Sequence, residues 1–189
     1  MKKLKVYVAG KVNPNSVFGT SDWRDGFCKK LGELAGFEIQ NLDPTKSNYL
    51  SPLHENNSAF IFGRDCFLIS VSDVVIVQLT DDISVGGSQE MIIAKYFGKP
   101  LIGIAKINGK FRKKEKNIQG RIYYNYTQPF VASLCDSLVE DINGAADFMK
   151  EFFNSNRTTN TLTTILCKNI FQYEKILPNE VKSLSNNLL

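Results

Sequence analysis

The chain has 189 residues, of which 43% are hydrophobic and 22% charged, and its formal net charge at pH 7 is +4. This composition is typical of a folded globular protein and excludes a disordered one. No apolar run is long enough to span a membrane, and the apolar part of segment 1–9 is too short for a secretory signal. We therefore expect a cytoplasmic protein with no membrane partner.

The residue types that hold metal ions are scarce and scattered. The cysteines Cys28, Cys66, Cys135 and Cys167 are far apart and form no C-x-x-C pair, and His54 is the single histidine. We predict free thiols, no metal site and no cofactor. Any chemistry must then be carried out by carboxylates, hydroxyls or backbone amides.

The positive charge is concentrated in segment 110–116, which contains five lysines and arginines. We predict a solvated loop there, and a loop that faces a phosphate is the alternative. A nucleic-acid-binding surface needs further basic and aromatic residues beside such a segment. Because the sequence shows none, we expect no nucleic-acid partner.

Strands and helices alternate along the first part of the chain. Residues 4–9 are rich in β-formers and end at Gly10, which predicts a strand that stops in a loop. Apolar residues at helical spacing predict one helix over 20–36 and a second over about 60–71. A short strand is predicted between them at 37–39.

The middle of the chain continues this alternation. The continuous apolar run at 73–79 is typical of a strand buried on both faces. A helix is predicted over 88–97, followed by strands at 101–105 and 130–134 and a helix through 145–153. Strands that alternate with helices in this way predict an α/β fold with a doubly wound, parallel, five-stranded sheet.

The last part of the chain is predicted to be an addition to this domain. We place the domain at residues 1–154 and a helical extension at 155–189. Polar and helix-breaking residues fill 154–160, and apolar residues at helical spacing predict one extra helix over 162–177, before Pro178. The apolar face of this helix packs either on a second subunit or on the flank of the domain.

Two adjacent glycines precede the helix predicted over 88–97, at the edge of the sheet where open α/β folds bind ligands. Gly86 and Gly87 let the backbone approach a ligand closely, and the helix start offers N–H groups that favour an anion. Glu90 falls in the first turn of the predicted helix. It is either a helix-stabilising residue or a reactive carboxylate.

Asp65 is an unusual residue for its place in the pattern. It follows Ile61 by four residues and precedes Leu68 by three, so it lies beside the apolar face of its helix. A carboxylate in such a place is costly unless it is hydrogen-bonded. We therefore expect Asp65 to be paired or to take part in the chemistry.

Several short motifs follow one another over roughly residues 4–105. They are Lys5-Val6-Tyr7-Val8-Ala9-Gly10, Arg64-Asp65 with Asp73-Val74-Val75-Ile76, and Gly86-Gly87-Ser88-Gln89-Glu90 with Gly98-Lys99-Pro100. Together, in this order and spacing, they resemble the nucleoside 2-deoxyribosyltransferase superfamily, which includes the 2′-deoxynucleoside 5′-phosphate N-hydrolases. The resemblance implies a flavodoxin-like, or Rossmann-like, sheet and a small nucleoside or nucleotide as substrate.

The resemblance also implies a double-displacement mechanism. Glu90 would attack the anomeric carbon of a (deoxy)ribosyl group and form a glycosyl ester as the base departs. Asp65 would contact the base or pass a proton to it, and Tyr7 would hydrogen-bond the Glu90 carboxylate.

Further residues would hold the substrate in a member of this family. The loop from Gly10 to Arg24 would close over the sugar and base, and Trp23 or Phe18 would stack on the base, although helix core is the alternative for Trp23. Family members are often homo-oligomers in which a neighbouring copy completes the site. Asn125 is our candidate for that contribution.

One position departs from the transferases of the family, in which an aspartate six residues before the nucleophile binds the sugar 5′-hydroxyl. This chain has Ser84 there, as the related N-hydrolases do, where the serine contacts a phosphate. Arg24 and segment 110–116 would add positive charge. Transfer and hydrolysis both stay open, and a nucleotide-binding sensor and a purely structural subunit are the alternatives from other classes.

Overall fold

The computed structural model describes residues 2–10, 23–46, 57–79 and 83–186. Its elements in these parts of the chain are, in order, β1 (Lys3–Ala9), α1 (Trp23–Ala35), β2 (Glu38–Asn41), α2 (Ser58–Val71), β3 (Val74–Gln78), α3 (Val85–Tyr96), β4 (Leu101–Ile104), β5 (Arg112–Ile118), β6 (Arg121–Thr127), α4 (Pro129–Leu134), β7 (Ser137–Val139), α5 (Ile142–Asn154), α6 (Leu162–Ile176) and α7 (Pro178–Asn186).

Five parallel strands form the main sheet in the order β2-β1-β3-β4-β7. The chain moves outward from β1 to β2 and then returns to β3 on the other side of β1, so the direction of winding reverses between β1 and β3. Open α/β sheets bind ligands at such a reversal, beyond the carboxyl ends of the strands. The predicted doubly wound, parallel, five-stranded sheet is confirmed.

Each face of the sheet has its own hydrophobic core, because successive side chains of a strand point to opposite faces. The first core contains Val6 and Val8 with the inward residues of α1 and α5. The second contains Tyr7 and Ala9 with the inward residues of α2, α3 and α4. Tyr7 therefore lies on the face of the sheet that α3 covers.

The strand predicted at 130–134 is wrong, because this segment forms the helix α4. Gln128 caps the helix by accepting a hydrogen bond from the Val131 N–H at 2.9 Å, and Pro129 occupies the first turn, where its missing N–H is not needed. Val131 and Leu134, three residues apart, form the buried side. The fifth strand is β7 instead, which pairs with β4.

The basic segment 110–116 is mostly a strand, and the prediction of a solvated loop is wrong. Strands β5 and β6 form an antiparallel hairpin whose two-residue turn, Gln119 and Gly120, has φ angles of 51° and 81°. Two positive φ angles in succession are typical of the tight turn that suits a twisted hairpin. The hairpin is largely exposed, so no alternation of polar and apolar residues marks its strands in the sequence.

The extension contains two helices, where we predicted one. Helix α6 lies within the predicted range, and Pro178 then begins the second helix, α7, because its fixed φ suits a first helical turn. Leu162 and the buried Ile165 pack α6 against the flank of the domain. Of all the helices in the described ranges, none is both long and apolar enough to cross a membrane.

Candidate functional site

A partly buried hydrogen bond joins the first strand to the third helix. Tyr7 is 0% exposed, and its hydroxyl donates to Glu90 Oε1 at 2.8 Å. The alternation of β1 places this ring between the sheet and α3, and the inward residues Met91 and Ala94 of α3 hold the helix against the same core. The phenol and the carboxylate, 83 positions apart in the chain, therefore meet beside the reversal point of the sheet.

Glu90 lies in the second turn of its helix, and the predicted place in the first turn is wrong. Helix α3 begins at Val85 because Ser84 is its N-cap, with Oγ accepting a hydrogen bond from the Gly87 N–H at 3.0 Å. The field of a helix terminus fades within one turn. The Glu90 carboxylate is therefore stabilised mainly by its side-chain neighbours.

Those neighbours set the acidity of Glu90. Burial raises the pKa of Glu90 above that of an ordinary glutamate, the hydrogen bond from Tyr7 opposes this rise, the Asp65 charge adds to it, and the Arg24 charge opposes it. The result is a raised pKa. Burial also raises the pKa of Tyr7, and the charge of Glu90 raises it further, so the phenol keeps its proton and remains a donor.

Asp65 belongs to the same neighbourhood, since its charge raises the pKa of both Tyr7 and Glu90. Its Oδ1 accepts a hydrogen bond from Arg64 Nε at 3.0 Å, and both side chains are about one-fifth exposed, at 21% and 22%. The carboxylate that the sequence placed beside an apolar helix face is thus paired with its neighbour along the chain. One side of it still reaches solvent, where a ligand could contact it.

Arg24 is a buried residue that holds the end of β1, whereas we expected a positive charge available to a phosphate. Its Nε donates to the Val8 carbonyl at 2.9 Å and its Nη2 to the Gly10 carbonyl at 2.8 Å, and the residue is 2% exposed. The guanidinium also lies 4.5 Å from the centre of the Trp23 ring. In this position its charge acts on Glu90 and Tyr7 from within the protein.

Trp23 lies in the core of the domain. This agrees with the interpretation of Trp23 as helix core and not with stacking on a base. The ring is 1% exposed and meets the Phe27 ring edge-on, with 6.4 Å between the ring centres. A Cβ added to Gly10 would lie 3.0 Å from the Trp23 ring, so glycine is needed for this close packing. Phe18 and most of the loop predicted to close over a substrate lie outside the described residues.

The two glycines of the helix start differ in their surroundings. Gly87 is buried, and a Cβ there would come within 3.2 Å of Ile83 and 3.3 Å of Ser84 Oγ. Gly86 is exposed, and a Cβ there would have only Ser84 Oγ, at 3.9 Å, within reach. Gly87 thus keeps the capped turn compact, and Gly86 leaves the backbone open to an approaching ligand.

Asn125 lies on β6 of the hairpin, exposed and in the left-handed region with a φ of 53°. Within the described part of the chain it makes no hydrogen bond to Tyr7, Asp65 or Glu90. A contribution of Asn125 to the site of a neighbouring copy stays a prediction. Among the described residues, no group of three or more histidine, cysteine, aspartate or glutamate side chains could hold a metal ion.

The sequence did not reveal a second concave region, whose wall includes residues of α3. It is an apolar cavity of about 510 Å³, and Gln89 and Met91, the chain neighbours of Glu90, are part of its wall. Helix α3 therefore contributes residues to both the site and the cavity. A signal was present in the sequence, since Val85, Gln89, Ile92 and Tyr96 follow a helical spacing with no charge among them.

The comparisons with known proteins concern the fold. No family model matches the chain, and no curated protein sequence does. A conserved protein from Enterococcus faecalis V583 matches with 14% identity over 79% of this chain and 98% of its own, at a TM-score of 0.56. A 2-deoxyribosyltransferase from Bacillus psychrosaccharolyticus matches with 14% identity over 76% and 90%, at 0.49. The CMP N-glycosidase BcmB of Clostridium botulinum matches with 14% identity over 78% and 98%, at 0.41. At such identities a likeness is one of fold, and the chain shares its α/β architecture with the Enterococcus protein.

Proposed function

We propose that this chain is a nucleoside 2-deoxyribosyltransferase-like enzyme that cleaves the N-glycosidic bond of a (deoxy)nucleoside or nucleotide through a glycosyl ester on Glu90. The hydrogen bond from the buried Tyr7 hydroxyl to Glu90 Oε1, at 2.8 Å beside the reversal point of the sheet, carries the proposal. A helix-stabilising glutamate needs no such partner, whereas a nucleophilic carboxylate must be held at one oxygen while the other reacts.

The two steps conserve configuration at the anomeric carbon. In the first, a Glu90 oxygen forms a bond to that carbon while the carbon–nitrogen bond breaks, and the base leaves with the electron pair and takes up a proton from solvent. In the second, water or another base attacks the same carbon, gives up one proton to solvent and releases the carboxylate. Because each step inverts the centre, the product has the configuration of the substrate, as in retaining glycosidases.

Tyr7 and the raised pKa of Glu90 have complementary parts in this mechanism. A carboxylate in a partly dehydrated site is a stronger nucleophile than one in water, which favours attack. The Tyr7 hydroxyl keeps the carboxylate oriented and ionised, and its own raised pKa ensures that it donates and does not accept. Asp65, which Arg64 fixes at 3.0 Å, would accept hydrogen bonds from the base.

Hydrolysis of a nucleoside 5′-monophosphate is the second candidate, and the position of Ser84 favours it. Ser84 Oγ accepts from the Gly87 N–H, so its hydroxyl proton stays available at the start of α3. The N–H groups of the first helical turn, with the open backbone at Gly86, suit a phosphate next to it. With water as the acceptor, the products would be a free base and a sugar phosphate.

The test is chromatography of a panel of nucleosides and their 5′-monophosphates, each incubated with wild type, Glu90→Ala and the control Glu33→Ala, with and without free adenine. Glu33 is an exposed glutamate on α1 whose ion pair with Lys30 spans 3.9 Å. We expect base release by wild type and Glu33→Ala but not by Glu90→Ala. A new adenine nucleoside identifies a transferase, and sugar or sugar phosphate alone identifies a hydrolase.

Mass spectrometry of the intact protein distinguishes the mechanism from its rivals. We expect a sugar adduct on wild type after a short incubation with an active substrate and no adduct on Glu90→Ala. Base release by both proteins would contradict the role of Glu90. If neither protein releases base from any member of the panel but both bind one tightly, the nucleotide-binding sensor replaces the enzyme.

A further inference from the structure

The hairpin of β5 and β6 carries the positive charge of the protein. Residues 110–127 contain six lysines and arginines and one glutamate, a net charge of +5, whereas the whole chain has a net charge of +4. The rest of the chain is therefore close to neutral. The two strands form a sheet of their own, and most of their residues are exposed. A charge concentrated on one exposed element favours a partner of the opposite sign.

The pairing of the two strands separates the charges between the two sides of the hairpin. Residues directly opposite each other, such as Lys116 and Tyr123, share a side, and so do alternate residues of one strand. Lys113 and Glu115 therefore lie on one side, where their charges cancel. The other side carries four cations and no carboxylate. These cations are Arg112, Lys114, Lys116 and Arg121.

Two tyrosine rings lie among these cations. Tyr123 is 45% exposed and stands opposite Lys116. Asn125 leaves the extended conformation of β6 with a φ of 53°, and the centre of the Tyr126 ring lies 3.9 Å from the Lys116 ammonium. The pairing of the strands thus brings to segment 110–116 the basic and aromatic residues that a nucleic-acid-binding surface needs. We call the four cations and these two tyrosines the basic face.

The cations of the basic face keep their charge. Within the described parts of the chain, none of the four forms an ion pair with a carboxylate. Arg112 donates from Nη1 to the Ala105 carbonyl at 3.2 Å, which holds its side chain without neutralising it. Arg112, Lys114 and Tyr126 also line a cavity of about 140 Å³. Since a water molecule takes up about 30 Å³, this cavity has room for one phosphate group.

The chemistry of the basic face distinguishes among the partners that carry negative charge. A second copy of the hairpin would bring the same positive charge, and like charges repel. An acidic peptide would pair with the cations but has no flat group for the two rings. A single strand of nucleic acid has both, because its phosphates repeat beside bases whose planes stack on aromatic side chains. In a duplex the base planes are already covered by their neighbours.

We propose that the basic face binds a single strand of nucleic acid, with the phosphates on the four cations and the bases on the rings of Tyr123 and Tyr126. The contacts are to phosphates and base planes, which RNA and DNA share, so the surface does not read a sequence. This proposal goes beyond the proposed function and does not depend on it. The Tyr7–Glu90 site takes a nucleoside or nucleotide, whereas the strand lies on the hairpin.

The test is fluorescence anisotropy of labelled oligothymidylate and oligouridylate of about 12 nucleotides, titrated with the full chain. We expect a Kd on the order of 10⁻⁶ M at low salt for both strands. An abasic strand of the same length has the phosphates without the bases, and it should bind about 10-fold more weakly or worse. Four cations on four phosphates predict that the logarithm of the affinity falls with that of the salt concentration with a slope of about −3.

Two matched pairs of variants separate charge from stacking, and the first pair concerns charge. Lys114→Gln/Lys116→Gln removes two cations of the basic face, so we expect the salt slope to fall to about half of its wild-type value. Lys29→Gln/Lys30→Gln removes the same charge from two exposed positions of α1 and should keep the slope. Equal slopes for the two variants would overturn the proposal, because the phosphates would then not lie on the hairpin.

The second pair concerns stacking. Tyr123→Ala should weaken binding about 10-fold with no change in the salt slope, because a base loses its platform and no charge is lost. Tyr124→Ala removes the next ring along the strand, which stands opposite Glu115 on the other side of the hairpin, and should bind as wild type does. Circular dichroism checks that each variant is folded.

Other outcomes assign the basic face to a different partner and overturn the proposal. Equal affinity for the ordinary and the abasic strands would show a surface that binds any polyanion. Binding to vesicles that contain phosphatidylserine, with no binding of either strand at low salt, would show a membrane-binding surface. Equal losses in Tyr123→Ala and Tyr124→Ala would remove the distinction between the two sides of the hairpin. None of these results concerns the glycosidic chemistry, which is measured by release of base.

Discussion

Helix α3 carries two charged residues five positions apart, the partly buried Glu90 and the buried Lys95, and their surroundings differ. Lys95 is 0% exposed, and its Nζ donates to Asp136 Oδ2 at 2.5 Å, to Thr159 Oγ1 at 2.5 Å and to the Lys99 carbonyl at 3.4 Å. All three ammonium protons thus have acceptors. Among the described residues, Glu90 accepts one hydrogen bond, from the neutral phenol of Tyr7, and it has a second carboxylate, Asp65, nearby.

The difference separates a structural charge from the charge that we propose to be reactive. The acceptors of Lys95 also bind each other and the sheet, since Asp136 accepts from the Thr159 hydroxyl at 2.6 Å and from the Leu101 N–H at 2.7 Å. A network in which every member is satisfied holds its parts in one arrangement. No comparable network surrounds Glu90 within the described parts of the chain, and burial raises its pKa, which fits the reactive role that we propose for it.

The largest expected effect is the loss of catalysis on removing the reactive charge. We expect Glu90→Gln to lower the rate of base release by roughly 10³-fold or more, because an amide cannot form the glycosyl ester. Single-turnover kinetics with an active substrate measures this loss. The isosteric control Glu33→Gln, on the exposed side of α1, should keep the wild-type rate. Retention of most of the rate by Glu90→Gln would place the nucleophile elsewhere.

Removing Lys95, the structural charge, should instead lower the stability of the fold. Lys95→Met removes the buried ammonium from Asp136 and Thr159, which keep only each other and the Leu101 N–H, and we expect the free energy of unfolding to fall by about 2 kcal/mol. Urea denaturation measures the fall. Lys150→Met is the control, since that side chain is 47% exposed on α5, and its change should stay within about 0.5 kcal/mol. Equal midpoints for both variants would show that the Lys95 network does not stabilise the protein.

The difference between buried and exposed segments explains which elements the sequence could predict. The apolar runs of β1, β3 and β4 and the helical spacing of α1, α2 and α5 identified the sheet, because burial on two faces leaves a strong pattern. The hairpin and α4 were missed for the opposite reason. The side chains of the hairpin are exposed, and α4 is short, so neither leaves a clear pattern of apolar residues. Cap and turn residues such as Gln128 and Gly120 decide the structure there.

Within the site, the family resemblance implied a hydrogen bond between Tyr7 and Glu90, and the structure contains this bond. The spacing of the motifs could not show that Arg24 would turn inward to the end of β1, because that requires the carbonyls of Val8 and Gly10 to be in place. It also could not show the Lys95 network. A lysine at the end of a helix is usually solvated, and only the tertiary structure supplies Asp136 and Thr159.

Removing the Tyr7 hydroxyl, which donates to Glu90, should shift the pH at which Glu90 loses its proton. In Tyr7→Phe the carboxylate loses the hydrogen bond that lowers its pKa, so the pKa rises further above that of wild type. Activity requires the ionised form and should therefore be lost at a higher pH as the solution is acidified. We also expect a fall in rate of roughly 10-fold at neutral pH, from poorer orientation of the carboxylate.

The pH dependence of single-turnover rates measures both effects of Tyr7→Phe. Tyr124→Phe is the matched control, because that ring is 72% exposed on the hairpin and its hydroxyl can be lost without consequence for Glu90. An acid limb at the wild-type position in Tyr7→Phe would mean that the hydrogen bond does not control the ionisation of Glu90. A shift with Tyr124→Phe as well would indicate a general effect of removing a tyrosine hydroxyl.

The smallest expected effect is a gain in stability when Glu90 loses its charge. The folded state binds the Glu90 proton more tightly than the unfolded chain does, because burial raises its pKa. The ionised carboxylate therefore destabilises the fold at neutral pH, and Glu90→Gln should raise the free energy of unfolding by about 1 kcal/mol. As the pH falls through the raised pKa, wild type becomes neutral too, and the two proteins should converge in stability. Urea denaturation at several pH values measures the difference. A Glu90→Gln variant less stable than wild type at neutral pH would mean that the carboxylate is held as completely as Lys95, and the distinction between the two charges would fail.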